Sequence, residues 1–222
     1  NHRASFNIEY KIDTANYIKF NPSFSKNKTN AIYYYDFISQ INERKISDGS
    51  MDDNSLSNSP NFSGSFLYNH RFKKRGRTIS FNLNAGSSST ISDEDYDNLT
   101  TLYLGVIAKD TLQLLNILQD NNNKNYGGKI SYTEPITKKR NLEINYSYNY
   151  QYIDNNRSTY NIDTLTKQSV FSDSLSNIYS NTYKTNRIGI NLRTTEKKYN
   201  YTIGFSAQPA TIETKSVTGD TS

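Results

Sequence analysis

The sequence predicts an all-β fold, namely an antiparallel up-and-down transmembrane β-barrel segment of about eight strands in four hairpins. Three observations predict it. Apolar and polar residues alternate over long stretches, tyrosine is frequent at the apolar positions, and short turns alternate with much longer connections. We expect residues 1–222 to form a single, partial barrel domain.

Alternation is clearest in NLEINYSYNYQYI, which runs from Asn141 to Ile153. Every second residue from Leu142 to Tyr152 is aliphatic or aromatic, and the residues between them are polar. Successive side chains of an extended chain point to opposite faces. This stretch therefore predicts a strand with one apolar, tyrosine-rich face and one polar face.

The same pattern recurs in pairs of segments joined by a few turn residues, which predicts hairpins. The turns are DTAN, KKRGR, PITKKR and TTEKK, all rich in turn-forming or basic residues. The predicted hairpins cover about residues 3–25, 61–87, 126–153 and 185–208.

Connections between the hairpins run to roughly thirty residues, which is long for the loops of a compact soluble domain. Outer-membrane barrels have this asymmetry, with short periplasmic turns and long extracellular loops. Strands of about eleven residues, tilted by about 40°, rise about 27 Å, which is close to the apolar band of such barrels.

In a bilayer, tyrosines at the ends of the apolar face suit an aromatic girdle, and the polar face suits a wet lumen. We therefore predict two sets of residues. The lipid-facing set is Phe6, Ile8, Phe20, Phe81, Leu83, Ile144, Tyr146, Tyr148, Ile190, Ile203 and Phe205. The lumen-facing set is Arg3, Glu9, Lys19, Arg71, Lys129, Glu143, Asn145 and Asn191. A soluble antiparallel sheet also alternates, and it remains the alternative fold.

Composition argues against catalysis and bound cofactors. The chain has no Cys, one Met and two His, so most metal and redox chemistry lacks ligands. His70 lies in a predicted strand with no nucleophile or carboxylate tied to it by sequence. We expect no enzyme activity, no catalytic residue, no metal site and no cofactor, and the ligand-binding residues stay unassigned.

Other segments allow weaker interpretations. Basic turns, such as Lys73 to Arg77, fit contact with lipid head groups or simple solvation at the surface better than nucleic-acid binding, so we expect no nucleic-acid partner. The acidic stretch around Asp93 is expected to be a solvated loop, with Ca²⁺ as the less favoured reading. TLQLLNILQD, from Thr111 to Asp120, has spacings compatible with a short amphipathic helix over the barrel mouth.

Several hairpins also carry a family resemblance. The stretches NHRASFNIEYKIDTANYIKFNPSFS, YGGKISYTEPITKKRNLEINYSYNYQY and TNRIGINLRTTEKKYNYTIGFSAQ resemble outer-membrane β-barrel proteins of Bacteroidota related to TonB-dependent receptors. The resemblance implies an integral protein of the Gram-negative cell outer membrane. It also implies a plug domain and remaining barrel strands in the parent chain, and possible partnership with TonB and a surface lipoprotein. The ends of the chain indicate a piece of a longer precursor.

The resemblance implies TonB-dependent uptake of a bulky nutrient, such as a glycan, a peptide or a metal chelate. The alternatives are a passive channel or structural surface barrel, and a soluble β-sheet adhesion module. Long charged residues on the polar faces would crowd a closed eight-stranded barrel, whose interior is narrow. We therefore predict that the strands at Arg3–Ile12 and Tyr199–Ala207 are sheet edges that do not pair with each other.

Overall fold

A computed structural model describes residues 1–105 and 107–216. They form one antiparallel sheet of eleven strands and a single 3-10 helical turn, Asp173–Leu175. The strands are β1 His2–Ser5, β2 Ile8–Lys11, β3 Asn16–Ile41, β4 Arg44–Arg71, β5 Thr78–Leu104, β6 Ile107–Pro135, β7 Arg140–Ile162, β8 Ser169–Phe171, β9 Asn177–Thr195, β10 Asn200–Ala207 and β11 Ala210–Ser216. Among these residues, no helix has the length and apolarity needed to cross a membrane.

The long strands follow one another across the sheet, as in a meander. The order across the sheet is β1, β3, β4, β5, β6, β7, β9, β10, with β2 also on β3, β8 on β7 and β11 on β9. The antiparallel pairings predicted within the four hairpins are all present. Their turns lie at one end of the sheet, which we call the turn end.

The structure has eleven strands and not the predicted eight or so, partly because proline interrupts both edges. β1 and β2 pair with β3 in one continuous register, and the break faces Pro22. The Phe6 N–H donates to the Pro22 carbonyl at 3.0 Å, but Pro22 has no N–H to return the bond. Pro209 breaks β10 from β11 in the same way.

Strand length is where the sequence prediction was most wrong. β3 to β7 contain 23 to 29 residues each, about twice the expected length. The first two long connections are not loops, because they continue the pairing of the strands below them as two tall hairpins, which we call the arms. The first arm turns at Asn42 and Glu43, both with positive φ, and the second turns beside Gly105.

The predicted helix at Thr111–Asp120 and the predicted acidic loop at Asp93 were also wrong. Both segments are strand, and they pair with each other: Asp93 faces Leu118, and Asp95 faces Asn116. Cross-strand pairing along the whole arm overrides the local helical spacing. The third connection keeps some irregular chain, since residues 163–168 form a turn before β8.

A small core lies in the second arm. Ile117 and Leu115 are the only buried hydrophobic side chains among the described residues. The chain between β8 and β9 covers Thr159 beside them, where the Ser176 hydroxyl accepts from the Thr159 N–H at 2.9 Å. The rest of the sheet is a single layer. Its large apolar side chains have no second sheet packed against them, and Phe205, for example, is 80% exposed.

The register gives the tilt of the strands. A row across the sheet joins Phe20, Phe66, Leu83, Gly128, Tyr148 and Asn186. This row lies four residues from the turn end on β3 and nine residues from it on β9, five strands away. Each residue rises about 3.3 Å along a strand and neighbouring strands lie about 4.8 Å apart. The strands are therefore inclined by about 35° to the perpendicular of the line that joins the turns, an inclination typical of membrane barrels.

The two predicted edges lie at opposite sides of the sheet. β1 and β2 contact β3, and β10 and β11 contact β9. Within residues 1–105 and 107–216, neither edge pairs with the other, so the sheet is an open wall.

Candidate functional surfaces

The register assigns every predicted site residue to one of two faces. The eleven residues predicted to face lipid share one face, which we call the apolar face. The eight residues predicted to face the lumen share the other, which we call the polar face. The alternation read from the sequence therefore holds at these positions, and the register shift between Ser39 and Gln40 lies far from them, near the tip of the first arm.

The apolar face carries a band of defined height. From the second to the ninth residue above the turn end of β3 to β7, β9 and β10, this face has no charged side chain. Eight residues on strands inclined by about 35° rise about 22 Å, which matches the apolar band of membrane barrels at about 25 Å. Stacked Tyr126 and Tyr150, with ring centroids 4.5 Å apart, lie at its upper border.

Charges at the height of this band lie on the polar face. The Lys19 ammonium contacts the Glu9 carboxylate at 2.9 Å, and the Asn145 amide donates to Glu143 at 3.3 Å. Further along, the Arg187 guanidinium donates to the Ser206 hydroxyl at 3.3 Å. These contacts pair charged and polar side chains with one another along the polar face.

Asparagine over glycine is a recurring arrangement of the polar face that the sequence analysis missed. Four glycines lie directly opposite an asparagine of an adjacent strand, and the asparagine side chain covers the position where the glycine Cβ would be. The pairs are Asn125 with Gly86, Asn149 and Asn84 with Gly127, Asn145 with Gly189, and Asn191 with Gly204. The sequence signal for these pairs is an Asn on the polar face of one predicted strand and a Gly on the polar face of the neighbouring predicted strand.

The turn end carries a charged rim. The segments 71–77, 134–140 and 193–198 hold eleven basic and two acidic side chains. Both acidic groups are paired: Glu134 with Arg77 and Lys74, and Glu196 with Lys139 at 2.6 Å. Arg77 donates to both Glu134 oxygens, at 2.7 and 2.9 Å. These donors, with the Tyr132 hydroxyl, hold the pKa of Glu134 well below its usual range.

His70 takes part in a polar network at this rim. The Asn16 carboxamide oxygen lies 2.7 Å from both His70 Nδ1 and the Tyr68 hydroxyl. The Asn16 amide donates in turn to Asp13, whose other oxygen accepts the Ala15 and Asn16 N–H groups at 2.7 Å. These bonds lower the pKa of Asp13 and fix the DTAN turn. His70 thus orders the turn end of the sheet.

The charged side chains of the arms are mostly acidic, in contrast to the basic rim at the turn end. Residues 30–59 and 89–123 hold eleven acidic and three basic side chains. Asp93 and Asp95 share one partner, the Asn116 amide, at 2.8 and 3.0 Å. Among the described residues, no three His, Cys, Asp or Glu side chains are grouped closely enough to hold a metal ion.

An open, tilted, antiparallel wall with an apolar band on one face and a polar opposite face defines the class of membrane β-barrel proteins. The comparison with family models agrees, because the model of the outer membrane protein beta-barrel family matches residues 70–222. The chain belongs to this family. It is therefore an integral protein of the Gram-negative outer membrane.

Other comparisons add little. No curated protein matches the chain. One solved structure, described as "Crystal structure of lipopolysaccharide binding protein", is 7% identical, and the match covers 96% of this chain and 77% of that one with a TM-score of 0.14. At that TM-score the likeness carries no argument about fold or function.

Proposed function

We propose that the chain is part of the wall of an outer-membrane transporter, with its apolar face in lipid and its polar face toward the lumen. The uncharged band on one face supports this orientation, because a charged side chain in the lipid midplane costs about 2 to 4 kcal/mol. Every charged residue at that height lies on the opposite face, where water can reach it.

The single observation that carries the proposal is the chemistry of the polar face. Seven asparagines line it at the height of the band: Asn21, Asn69, Asn82, Asn84, Asn145, Asn149 and Asn191. Each carboxamide both donates and accepts hydrogen bonds without carrying charge. Such a wall suits a substrate rich in hydroxyl or amide groups, so glycans and peptides fit better than a highly charged metal chelate.

The tall arms support capture at the outer surface. They extend the wall by about fifteen residues above the band, or about 40 Å, so that a bulky ligand meets protein well outside the bilayer. On the second arm the residues of the polar face, from Ser92 to Thr100, are half-buried, whereas their neighbours on the outer face are exposed. We therefore propose that the arms enclose the entrance on the lumen side.

TonB-dependent coupling is the mechanism that we propose for this transporter. An outer membrane has no nucleotide supply, so concentrative uptake needs an energised partner at the inner membrane. A plug domain and further barrel strands in the parent chain, and a surface lipoprotein at the arms, complete the proposal. The chain contributes binding and passage and no catalytic step.

Nutrient uptake by a strain that lacks the gene for this protein tests the proposal. We expect the strain to lose growth on a polymeric glycan or peptide mixture as the limiting nutrient, and a tonB deletion to produce the same loss. The full-length protein in a planar bilayer should show no steady conductance. Steady conductance together with TonB-independent growth would instead indicate a passive channel, and unchanged growth with no conductance would indicate a structural barrel.

A further inference from the structure

Four lysines lie at a similar height on the apolar face, just above its uncharged band. Lys26, Lys28, Lys124 and Lys184 lie ten to twelve residues above the turn ends of their strands, on β3, β6 and β9. They are far apart in sequence, and only the register and the tilt bring them to one height. We call these four residues the lysine girdle.

The girdle lies beside the aromatic border. Tyr126 and Tyr150 occupy the same row as Lys184, and Lys124 and Tyr152 lie one step above it. Tyrosine hydroxyls and lysine ammonium groups are thus presented together, at the level where lipid chains end and head groups begin.

Charge on the girdle is largely uncompensated. Lys184 contacts Glu213 at 2.9 Å. Lys26, Lys28 and Lys124 are exposed, and within the described part of the chain none has a carboxylate within 4 Å. Glu213 faces Thr182, thirteen residues above the turn end of β9, and the other acidic groups nearest to the girdle on the same face, Asp154, Asp120 and Asp93, lie fourteen or fifteen residues above the turn ends. The girdle lysines therefore lie between the apolar band and a surface that carries these acidic groups together with Lys215, which faces Ser180 of β9.

We propose that the lysine girdle binds the phosphate groups of lipid heads in the leaflet on the arm side of the membrane. This inference rests on the proposed orientation of the apolar face toward lipid. A lysine ammonium is a compact point charge with three donors that suits a phosphate, and neighbouring tyrosine hydroxyls supply further donors. The acidic surface above repels the same phosphates, so the head groups are held at one depth.

Lipid retention by the purified full-length protein tests the inference. The protein, in a neutral detergent, is mixed with phosphatidic acid and phosphatidylcholine of the same acyl chains, and bound lipid is counted by native mass spectrometry. We expect a preference for phosphatidic acid that falls by roughly tenfold or more in the triple variant Lys26→Gln, Lys28→Gln, Lys124→Gln.

A matched control removes three lysines elsewhere, namely Lys109→Gln, Lys129→Gln and Lys167→Gln, and should keep the preference. A second control, Lys138→Gln, Lys197→Gln and Lys198→Gln, changes the basic rim. An unchanged preference in the girdle variant, or its loss only in the rim variant, would overturn the inference. Insertion of the wild-type protein into pure phosphatidylcholine vesicles tests the proposed orientation separately. If the protein does not insert, the orientation of the apolar face toward lipid is contradicted, and not only the phosphate site.

Discussion

Asn149 covers Gly127 across the β6 and β7 pairing, and a Cβ on Gly127 would lie 2.5 Å from the Asn149 carboxamide oxygen. The same Cβ would lie 3.0 Å from the Asn84 oxygen and 3.1 Å from the Tyr148 carbonyl. Gly127 is therefore confined by two side chains and by backbone, and this glycine leaves room for the asparagines of the polar face.

Replacing this glycine should cost stability. We expect Gly127→Ala to destabilise the protein by about 1 kcal/mol, because the backbone carbonyl cannot move aside as a side chain can. Gly189→Ala is the matched control, since its Cβ would meet only the flexible Asn145 carboxamide, at 2.8 Å. Urea unfolding in lipid vesicles measures both, and equal costs would contradict the role assigned to the Tyr148 carbonyl.

Neighbouring residues on β7 test the orientation of the two faces. Ile144 lies four residues above the turn end on the apolar face, and Asn145 lies beside it on the polar face. We expect Ile144→Arg to reduce the free energy of folding into vesicles by about 2 to 4 kcal/mol, and Asn145→Arg to have little effect. If vesicles tolerate the two variants equally, the proposed orientation is wrong.

Glu134 should make the stability of the rim depend on acid pH. Its pKa is lowered by Arg77, Lys74 and Tyr132, so its stabilising contribution is complete above the unfolded pKa, about 4.3, and is lost as the pH falls through the lower folded value. Glu134→Gln should therefore be less stable than wild type at pH 7, and the difference should shrink below about pH 4.

Urea midpoints measured between pH 7 and pH 3 give this comparison. The control is Glu43→Gln at the tip of the first arm, because Glu43 has no ion pair among the described residues. A stability difference for Glu134→Gln that stays constant over this range would exclude a carboxylate contribution.

Glu43 allows a stabilising change at the tip of the first arm. It has a φ of 65°, and Asn42 before it has a φ of 48°, as in the tight turns that favour Asn-Gly. Glu43→Gly should stabilise the arm by about 1 kcal/mol, because a left-handed backbone is costly for residues with a Cβ. Amide hydrogen exchange at Ile41 and Arg44 should slow, and faster exchange there would contradict the prediction.

Cysteine cross-linking tests whether the two edges meet. In the full-length protein, Asn7→Cys with Ser206→Cys should not cross-link, because the edges lie at opposite sides of the wall. Ser131→Cys with Asn145→Cys should do so, since these residues are directly paired. Efficient cross-linking between the edges would show a closed, narrow barrel.

The sequence by itself determined the hairpins at the turn end and the face of each residue. Side chains alternate with a period of two, so Ile144 and Asn145 are assigned to opposite faces as soon as a strand is recognised. Their environments, lipid and lumen, remain proposals. The edges at Arg3–Ile12 and Tyr199–Ala207 were also predicted, from the crowding that closure of eight strands would impose.

Only the tertiary structure decided how far the strands extend and which residues share a height. Local sequence around Thr111–Asp120 fits a helix, yet pairing with β5 makes it strand, because a hydrogen-bonded partner along its whole length outweighs weak local propensity. The common height of Lys26 and Lys124 and the covering of Gly127 by Asn149 depend on register and tilt. Those are set by pairing between strands, which no single segment of the sequence contains.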